Sequence, residues 1–241
     1  GSGIGRSHIQ ACHKLPERFD VVAICDIDNV KAHELATTHN IPQVVTDLTE
    51  LCQMDELDVI DLCTPSYLHF SQVKEVLSAG KHVICEKPVA GSLKDIDELI
   101  SAEKQSGKRV VGTVCANIPE EILQAAGVLP LRVRAPDLED TANADAHMHR
   151  INCSYSRSVL ELVLSGRLDF LDGLVTTNTC DHMLRLASEL EANARFPFVH
   201  YFSMYHTLGS AATEWFVMEM QKLIEHLEES FGIKVSDHDL C

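Results

Sequence analysis

The sequence predicts an α/β protein built from two consecutive parallel, doubly wound units, both of them incomplete. Three observations support this fold class. Short β-branched runs alternate with helical segments along the whole chain, glycines end several helical segments, and a glycine-rich turn opens the sequence. Strands that alternate with helices across short connections form parallel sheets, because each helix returns the chain to the same edge of the sheet.

Composition excludes several classes of protein. The net charge is -16, with 36 acidic against 20 basic residues, which argues against nucleic-acid binding because that affinity depends on lysine and arginine. No apolar run reaches the roughly 20 residues that span a bilayer, so no membrane segment is expected. The nine cysteines are scattered and odd in number, which favours free thiols in a reducing, cytoplasmic location over a disulfide framework.

The first half predicts four strands and four helices in alternation. The strands are expected at 20–25, 42–46, 58–63 and 82–85. The helices are expected at 30–39, 47–53, 67–80 and 92–107. Gly80 and Gly107 end the last two helices, as glycine commonly does.

The opening stretch, GSGIGRSH, predicts a dinucleotide-binding turn. Gly1, Gly3 and Gly5 would let the backbone approach a pyrophosphate at a helix N-terminus, although their spacing is one residue short of G-x-G-x-x-G. Asp26 ends the next strand about 20 residues later, where a carboxylate binds the adenosine ribose hydroxyls. Asp28 adds a second negative charge, which favours NAD over NADP.

A central strand precedes such a turn in doubly wound folds, whereas this sequence opens at the turn with Gly1 rather than Met. We therefore expect a fragment or a processed chain, with a gap in the sheet between strands 20–25 and 58–63.

Two further motifs follow the later strands, CTPSYLH (63–69) and GKHVICEKPVAGS (80–92). With the glycine-rich turn and Asp26, they resemble the Gfo/Idh/MocA oxidoreductases, and the resemblance implies an NAD(P)-binding Rossmann domain over residues 1–106. It also implies a polyol-like or sugar-like substrate. Contacts to the cofactor are implied for Thr64, Pro65, His69, Glu86 and Lys87. Lys87 is the implied catalytic residue, since a lysine cation stabilises a developing alkoxide and relays a proton.

The second half continues the alternation without the antiparallel sheet and acid/base histidine that those oxidoreductases carry next. Strands are expected at 109–114, 129–134, 172–179 and 196–202, and helices at 118–127, 154–168, 180–190 and 211–231. A polar loop is expected at 135–150. The last helix carries an apolar stripe, with its glutamates largely on other faces: Phe216, Met220, Leu223, Ile224, Leu227 and Phe231 against Glu219, Glu225 and Glu229.

Three motifs in this half, VCANIPEEILQAAG, NCSYSRS and NTCD, occur in a specific order. They resemble the N-terminal half of a 2-hydroxyacyl-CoA dehydratase or benzoyl-CoA reductase subunit, covering residues 107–241. The resemblance implies a [4Fe–4S] cluster, an acyl-CoA substrate and a partner subunit or homo-oligomer. Cys153 and Cys180 are the implied cluster ligands, with Cys115 as a weaker third, and a helix N-terminus beside a thiol stabilises a thiolate. Strand-end cysteines are expected in the core: Cys25, Cys63 and Cys85.

The two resemblances meet between about residues 92 and 110, and a gene fusion, an assembly of mixed fragments and a deliberate chimera would each explain the join. Three functions remain open: a protein with both an NAD site and a cluster site, an NAD-binding module with a structural second half, and a dehydratase-type fragment that works with a partner. In each case we expect no complete turnover from this chain alone.

Overall fold

The computed structural model describes residues 3–135, 138, 140–193, 195–236 and 239–240, apart from the side chain of Leu93. The chain divides into two compact units, Gly1–Ser101 and Ala102–Cys241. The domain boundary expected after residue 106 from the two resemblances stays a prediction. No described helix is both long and apolar enough to cross a membrane.

The first unit alternates strands and helices as predicted. Its strands are β1 (Ala23–Cys25), β2 (Gln43–Val45), β3 (Val59–Leu62) and β4 (His82–Cys85). The helices that accompany them are α1 (Gly3–Cys12), α2 (Asn29–His39), α3 (Leu48–Cys52), α4 (Ser66–Ser78) and α5 (Leu93–Gln105). Parallel pairing joins β1 to β2 and β3 to β4, in two separate two-stranded sheets. Among the described residues no ladder joins β1 to β3, which confirms the predicted gap.

The glycine-rich opening differs from the predicted turn. Helix α1 already begins at Gly3, so Gly3 and Gly5 lie within the helix, and the hydroxyl of Ser7 donates to the carbonyl of Gly3 (3.1 Å). Gly1 lies outside the described residues. Because Gly3 and Gly5 already belong to a helix, these two glycines form no loop around a phosphate in this conformation.

Local sequence signals set the helix ends of this unit. Asp28 caps α2 by accepting from the amide of Lys31 (3.2 Å), and Asp47 caps α3 by accepting from the amide of Thr49 (2.9 Å). Asn40 ends α2 in the left-handed conformation, with φ of 53°. The core of this unit is one buried cluster, against which Cys25 and Cys85 pack. Its members are Leu51, Ile60, Leu62, Val73, Val76 and Leu99.

The second unit contains a four-stranded parallel sheet. Its strands are β5 (Val110–Thr113), β6 (Leu129–Arg132), β7 (Gly173–Thr177) and β8 (Phe198–Phe202), in the order β6-β5-β7-β8. The helices between and after them are α6 (Glu120–Ala125), α7 (Ala142–His147), α8 (Ser154–Leu164), α9 (Asp181–Asn193) and α10 (Ser210–Phe231). Every described strand pair is parallel, as predicted, so the described residues after 115 form no antiparallel sheet of the kind that a complete dehydrogenase carries.

The strand order creates a switch point between β5 and β7. The chain leaves β5 toward β6 on one side and later returns to β7 on the other side. In open parallel sheets, the crevice outside the carboxyl ends of two such strands is where ligands bind. Any site of this unit is therefore expected in the loops that follow Thr113 and Thr177.

Helix α10 covers one face of the sheet with the predicted stripe. Leu223 and Leu227 are fully buried against Phe198 and Phe202 of β8. Glu219, expected on another face, is instead 3% exposed. Its carboxylate accepts from the amide of Ser203 (2.9 Å) and from the ammonium of Lys222 (2.7 Å), and these charge-assisted bonds offset the cost of its burial.

The polar stretch 135–150 is partly helical rather than a loop. Helix α7 forms there because Glu161 of α8, only 8% exposed, accepts from the amide of Ala144 (2.9 Å) and from the side chain of Asn143 (2.6 Å). A distant carboxylate thus satisfies first-turn donors that a short helix leaves unpaired. Three residues of this stretch lie outside the described residues: Pro136, Asp137 and Glu139.

Candidate functional sites

In the first unit, two predicted motif loops emerge side by side. Strands β3 and β4 pair in parallel with Leu62 opposite Cys85. Thr64 and Pro65 therefore leave the same sheet edge as Glu86 and Lys87, because parallel strands end on one side. Pro65 sits at the N-terminus of α4 in an extended conformation. The structure brings the T-P and E-K-P motifs together as the resemblance implies.

His69 ties these two loops to each other. It is 1% exposed, and its Nε2 lies 2.8 Å from the carbonyl oxygen of Thr64 while its Nδ1 lies 2.7 Å from that of Pro88. Both ring nitrogens thus lie within hydrogen-bond distance of backbone carbonyl oxygens. These contacts hold the loops in place, and a contact of His69 with a nicotinamide stays a prediction.

The other motif side chains are more open. Lys87 is exposed, and its amide donates to the carboxylate of Glu86 (3.3 Å). Glu86 Oε1 also lies 3.2 Å from Nε2 of His8. The hydroxyl of Thr64 donates to Oε1 of Gln72 (2.5 Å). The catalytic role of Lys87 and the cofactor contacts of these residues stay predictions.

Asp26 follows β1, the position predicted for a ribose ligand. Its Oδ1 accepts from the amide of Asp28 (2.9 Å). Asp28 forms an ion pair with Lys31 (2.6 Å), and the hydrogen bond from that lysine lowers the pKa of Asp28. Lys31 therefore offsets part of the second negative charge on which the predicted preference for NAD over NADP depends.

A cluster that sequence reasoning missed lies beside the E-K-P loop. His8 of α1, Asp61 of β3 and Cys63 place one potential ligand atom each within 4.8 Å of one another. Cys63 was expected in the core, but it faces Nδ1 of His8 at 3.4 Å. Burial and then the charge of Asp61 raise the pKa of the Cys63 thiol to about 12. In β3, exposed and buried residues alternate, so the sequence pattern could have predicted that Asp61 points outward between buried Ile60 and Leu62. No local pattern predicts that His8 belongs to this cluster.

In the second unit, the three predicted cysteines lie in connections between strands and helices. One follows a strand, and the other two precede helices. Cys115 comes two residues after β5 and has a φ of 70°. Cys153 is the N-cap of α8, its sulfur accepting from the amide of Ser156 (3.4 Å). Cys180 directly precedes α9 and is exposed. All three are free thiols.

Three hydrogen bonds link the loops that carry these cysteines. The amide of Cys115 donates to the hydroxyl of Tyr155 (3.3 Å), two residues after Cys153. The sulfur of Cys115 lies 2.9 Å from the hydroxyl of Thr179, the neighbour of Cys180. Nδ1 of His182 lies 3.3 Å from Oδ1 of Asn152, the neighbour of Cys153. Each pair of cysteine loops is thus connected directly, at the switch point of the sheet.

Within the described part of the chain, these three thiols do not belong to a tight group that would hold a single ion. Among the described residues, the only three-residue group of His, Cys, Asp or Glu with ligand atoms within 4.8 Å is the one in the first unit. The cysteine ligands of an iron–sulfur cluster bind separate iron atoms and lie farther apart than the ligands of one ion. The positive ends of α8 and α9 also favour anionic sulfur at Cys153 and Cys180.

A cavity of about 740 Å³ opens beside Cys115. Its lining consists of Cys115, Arg132, Val133, Arg134, Ala135 and Tyr155. Tyr155 also donates to the carbonyl of Val133 (3.0 Å), which fixes its ring at the cavity wall, and burial raises the pKa of its hydroxyl. Two arginines therefore line a cavity next to a thiol in a chain that is acidic overall, and arginine is the residue best suited to bind an anionic ligand.

Comparison with known proteins gives two families, one for each part of the chain. Residues 1–113 match the family model described as an oxidoreductase family with an NAD-binding Rossmann fold, GFO_IDH_MocA. Residues 115–241 match the model described as 2-hydroxyglutaryl-CoA dehydratase, D-component.

Individual relatives divide in the same way. A scyllo-inositol 2-dehydrogenase (NADP(+)) of Bacillus subtilis is 36% identical over 91 residues, covering 38% of this chain and 28% of the relative. A benzoyl-CoA reductase subunit of Thauera aromatica is 29% identical over 140 residues, covering 57% of this chain and 36% of the relative. This chain therefore spans 28% of the length of the first relative and 36% of the second. A solved structure of the WlbA dehydrogenase from Bordetella pertussis, in complex with NADH and UDP-GlcNAcA, aligns with a TM-score of 0.42 and 30% identity over 45% of this chain and 32% of that one.

Proposed function

Because the chain belongs, over residues 115–241, to the 2-hydroxyglutaryl-CoA dehydratase D-component family and carries an oxidoreductase-family NAD-binding segment over residues 1–113, we propose that its second unit holds a [4Fe–4S] cluster for electron transfer to an acyl-CoA thioester. Cys115, Cys153 and Cys180 are the proposed ligands. The observation that carries this proposal is the set of hydrogen bonds joining the three cysteine loops at the carboxyl edge of the sheet.

The donor set fits this cofactor. Thiolates are the usual protein ligands of iron–sulfur clusters, and a bound cluster supplies single electrons at low potential. The chain's own groups hold the thiolates apart, with Tyr155 and Thr179 contacting Cys115 and with helix N-termini behind the other two sulfurs. Arg132 and Arg134 line the adjoining cavity, where they would bind the anionic phosphates of a coenzyme A thioester.

We also propose that this unit works with a partner subunit or in a homo-oligomer. Three cysteines are one fewer than the four thiolates of a fully cysteine-ligated cluster. The cavity beside Cys115 is lined by two exposed arginines, Arg132 and Arg134. The relative from Thauera aromatica is itself named as a subunit. A second chain over this edge would exclude water from the cluster, and the free thiols fit a cytoplasmic location.

Anaerobic reconstitution tests the cluster proposal. The full chain, incubated with iron and sulfide, should take up about four of each and give the visible and paramagnetic signals of a reduced [4Fe–4S] cluster. Cys153→Ser and Cys180→Ser should lose most of this iron, and Cys115→Ser should lose it in part. Cys12→Ser, at the end of α1 in the other unit, is the matched control and should load like the wild type. Equal loading of all four variants would refute the proposal.

For the first unit we propose NAD binding at the edge where β1, β3 and β4 end. The adjacent T-P and E-K-P loops, tied by His69, support this, as does Asp26 after β1. Asp26→Ala should weaken NAD binding by the about 1.5–3 kcal/mol of a hydrogen bond to a charged group, or roughly 10- to 150-fold. Asp20→Ala, outside β1, is the control. Isothermal titration calorimetry with NAD and with NADP measures the affinities of the wild type and of each variant. Equal affinity of wild type and Asp26→Ala for NAD would contradict the assignment.

A further inference from the structure

We propose that His8, Asp61 and Cys63 form a binding site for a divalent transition metal ion, Zn²⁺ by its ligand chemistry, in the first unit. This site goes beyond the proposed NAD and cluster functions and uses none of the three cysteines of the second unit. One imidazole nitrogen, one carboxylate oxygen and one thiolate sulfur are a borderline, a hard and a soft donor, and Zn²⁺ accepts all three. A fourth position would be left to water or a ligand.

The potential ligand atoms lie near the separations of a tetrahedral site, with the sulfur and the imidazole contacting different oxygens of the Asp61 carboxylate. Metal–ligand bonds of about 2.0–2.3 Å place neighbouring ligand atoms about 3.3–3.6 Å apart in a tetrahedron. The sulfur of Cys63 lies 3.4 Å from Nδ1 of His8 and 3.6 Å from Oδ1 of Asp61. Nδ1 of His8 lies 2.7 Å from Oδ2 of Asp61, a hydrogen bond that would open by about 0.6 Å when the ion replaces the proton.

Glu86 supplies a second, independent observation. Its Oε1 lies 3.2 Å from Nε2 of His8, the ring nitrogen that does not face Asp61 and Cys63. Histidines that bind metals commonly donate their other ring N–H to a carboxylate, which fixes the tautomer and the ring orientation. His8 is therefore already held with Nδ1 directed at the other two ligands.

The local charge also favours a cation. Asp61 and Glu86 flank the cluster, and among the described ion pairs His8 is the only cationic partner of either. Thiol and imidazole bind a metal only in their deprotonated forms, so binding of Zn²⁺ should release protons.

The partly open position of the site allows an ion to enter. The side chains of His8, Asp61 and Glu86 are 29%, 32% and 28% exposed. Asp61 projects from β3 away from buried Ile60 and Leu62, so its replacement leaves the core unchanged. The cluster can therefore be dissected without unfolding the unit.

Metal titration of the tag-free full chain tests the proposal. Without sulfide, calorimetry with Zn²⁺ in buffers of different ionisation enthalpy should show one site that is lost in His8→Ala, Asp61→Asn and Cys63→Ser, with proton release in the wild type. Glu86→Gln should keep the site but weaken it about 10- to 100-fold. Substitution with Co²⁺ should give a thiolate-to-metal absorption band that Cys63→Ser abolishes and Cys12→Ser retains.

The chain has other thiols and histidines that could compete for Zn²⁺, and the variants separate them from the proposed site. Cys153→Ser and Cys180→Ser should retain the site, so failure of the cluster proposal would leave this one standing. Circular dichroism of each variant checks that the fold is kept. A wild type that binds no Zn²⁺, or a stoichiometry and Co²⁺ spectrum unchanged in both His8→Ala and Cys63→Ser, would overturn the proposal.

Discussion

At the scale of single residues, burial and hydrogen bonding redefine what several motif side chains do. His69 belongs to the T-P motif, yet its two ring nitrogens bond to the carbonyls of Thr64 and Pro88 inside the unit. Glu219 was expected on a polar face of the last helix but is 3% exposed, and Glu161 is 8% exposed; both serve as acceptors for backbone amides. A buried acceptor that loses its donor costs more free energy than the bond contributed.

The prediction at this scale concerns His69. His69→Ala should lower the free energy of unfolding by about 2–4 kcal/mol, because it removes the side chain that links the two loops and creates a cavity where a fully buried ring lay. Denaturant unfolding of the full chain measures the change. His33→Ala is the control, since His33 is exposed and its ring bonds to a carbonyl of its own helix, and it should stay within about 0.5 kcal/mol of the wild type. Similar stabilities of the two variants would show that the contacts of His69 with the two loops do not stabilise the fold.

At the scale of elements, β8 and α10 enclose a histidine pair. Nδ1 of His200 lies 3.1 Å from Nδ1 of His226, and Nε2 of His200 has no hydrogen-bond partner among the described residues. Burial, and then the neighbouring His226, lowers the pKa of His200 to about 4, with Glu219 and Lys222 acting in opposite directions. The contact between this strand and helix therefore depends on a neutral imidazole.

This arrangement predicts a pH-dependent stability of the second unit. The unfolded chain binds a proton at His200 below about pH 6.5, whereas the folded chain does so only near pH 4, so stability should fall as the pH decreases through this window. The loss amounts to about 3 kcal/mol. Urea unfolding across this range measures it. His200→Phe keeps the stacking on Phe198, and its free energy of unfolding should fall less over this pH range than that of the wild type. An equal fall in the two proteins would contradict the assignment.

At the scale of the whole molecule, one chain carries two units that match two different family models. Each places its candidate groups at the carboxyl edge of parallel strands: motif loops after β3 and β4, and cysteines after β5 and before α9. Each site is also open. Lys87 is exposed, and the cysteine edge offers three proposed thiolates rather than four.

We accordingly predict no sustained turnover by the isolated 241-residue chain in either reaction. Hydride transfer needs a substrate held against the nicotinamide beside an acid/base group, and cluster chemistry needs a pocket closed to water. The assay is anaerobic: the reconstituted chain is supplied with NAD and polyols, and separately with a reductant and a 2-hydroxyacyl-CoA. Repeated turnover of either substrate would show that one unit is catalytically more complete than its open site indicates.

The sequence by itself determined the order and type of almost every element. Strand β4 matches its predicted range, and the other predicted strands and helices agree within a few residues, because alternation and capping are local properties. The two family resemblances and the motif loops were also readable, since their residues are close in sequence. Even the gap between β1 and β3 followed from counting strands.

Only the tertiary structure decided the contacts between distant residues. Helix α7 forms in a predicted loop because Glu161 reaches its first turn from α8. His8 meets Asp61 and Cys63 across more than 50 positions of the chain. The cysteine loops at 115, 153 and 180 are linked through Tyr155 and Thr179, which no periodicity singles out. Such contacts depend on how strands and helices pack, and this packing is a property of the folded unit rather than of any window of its sequence.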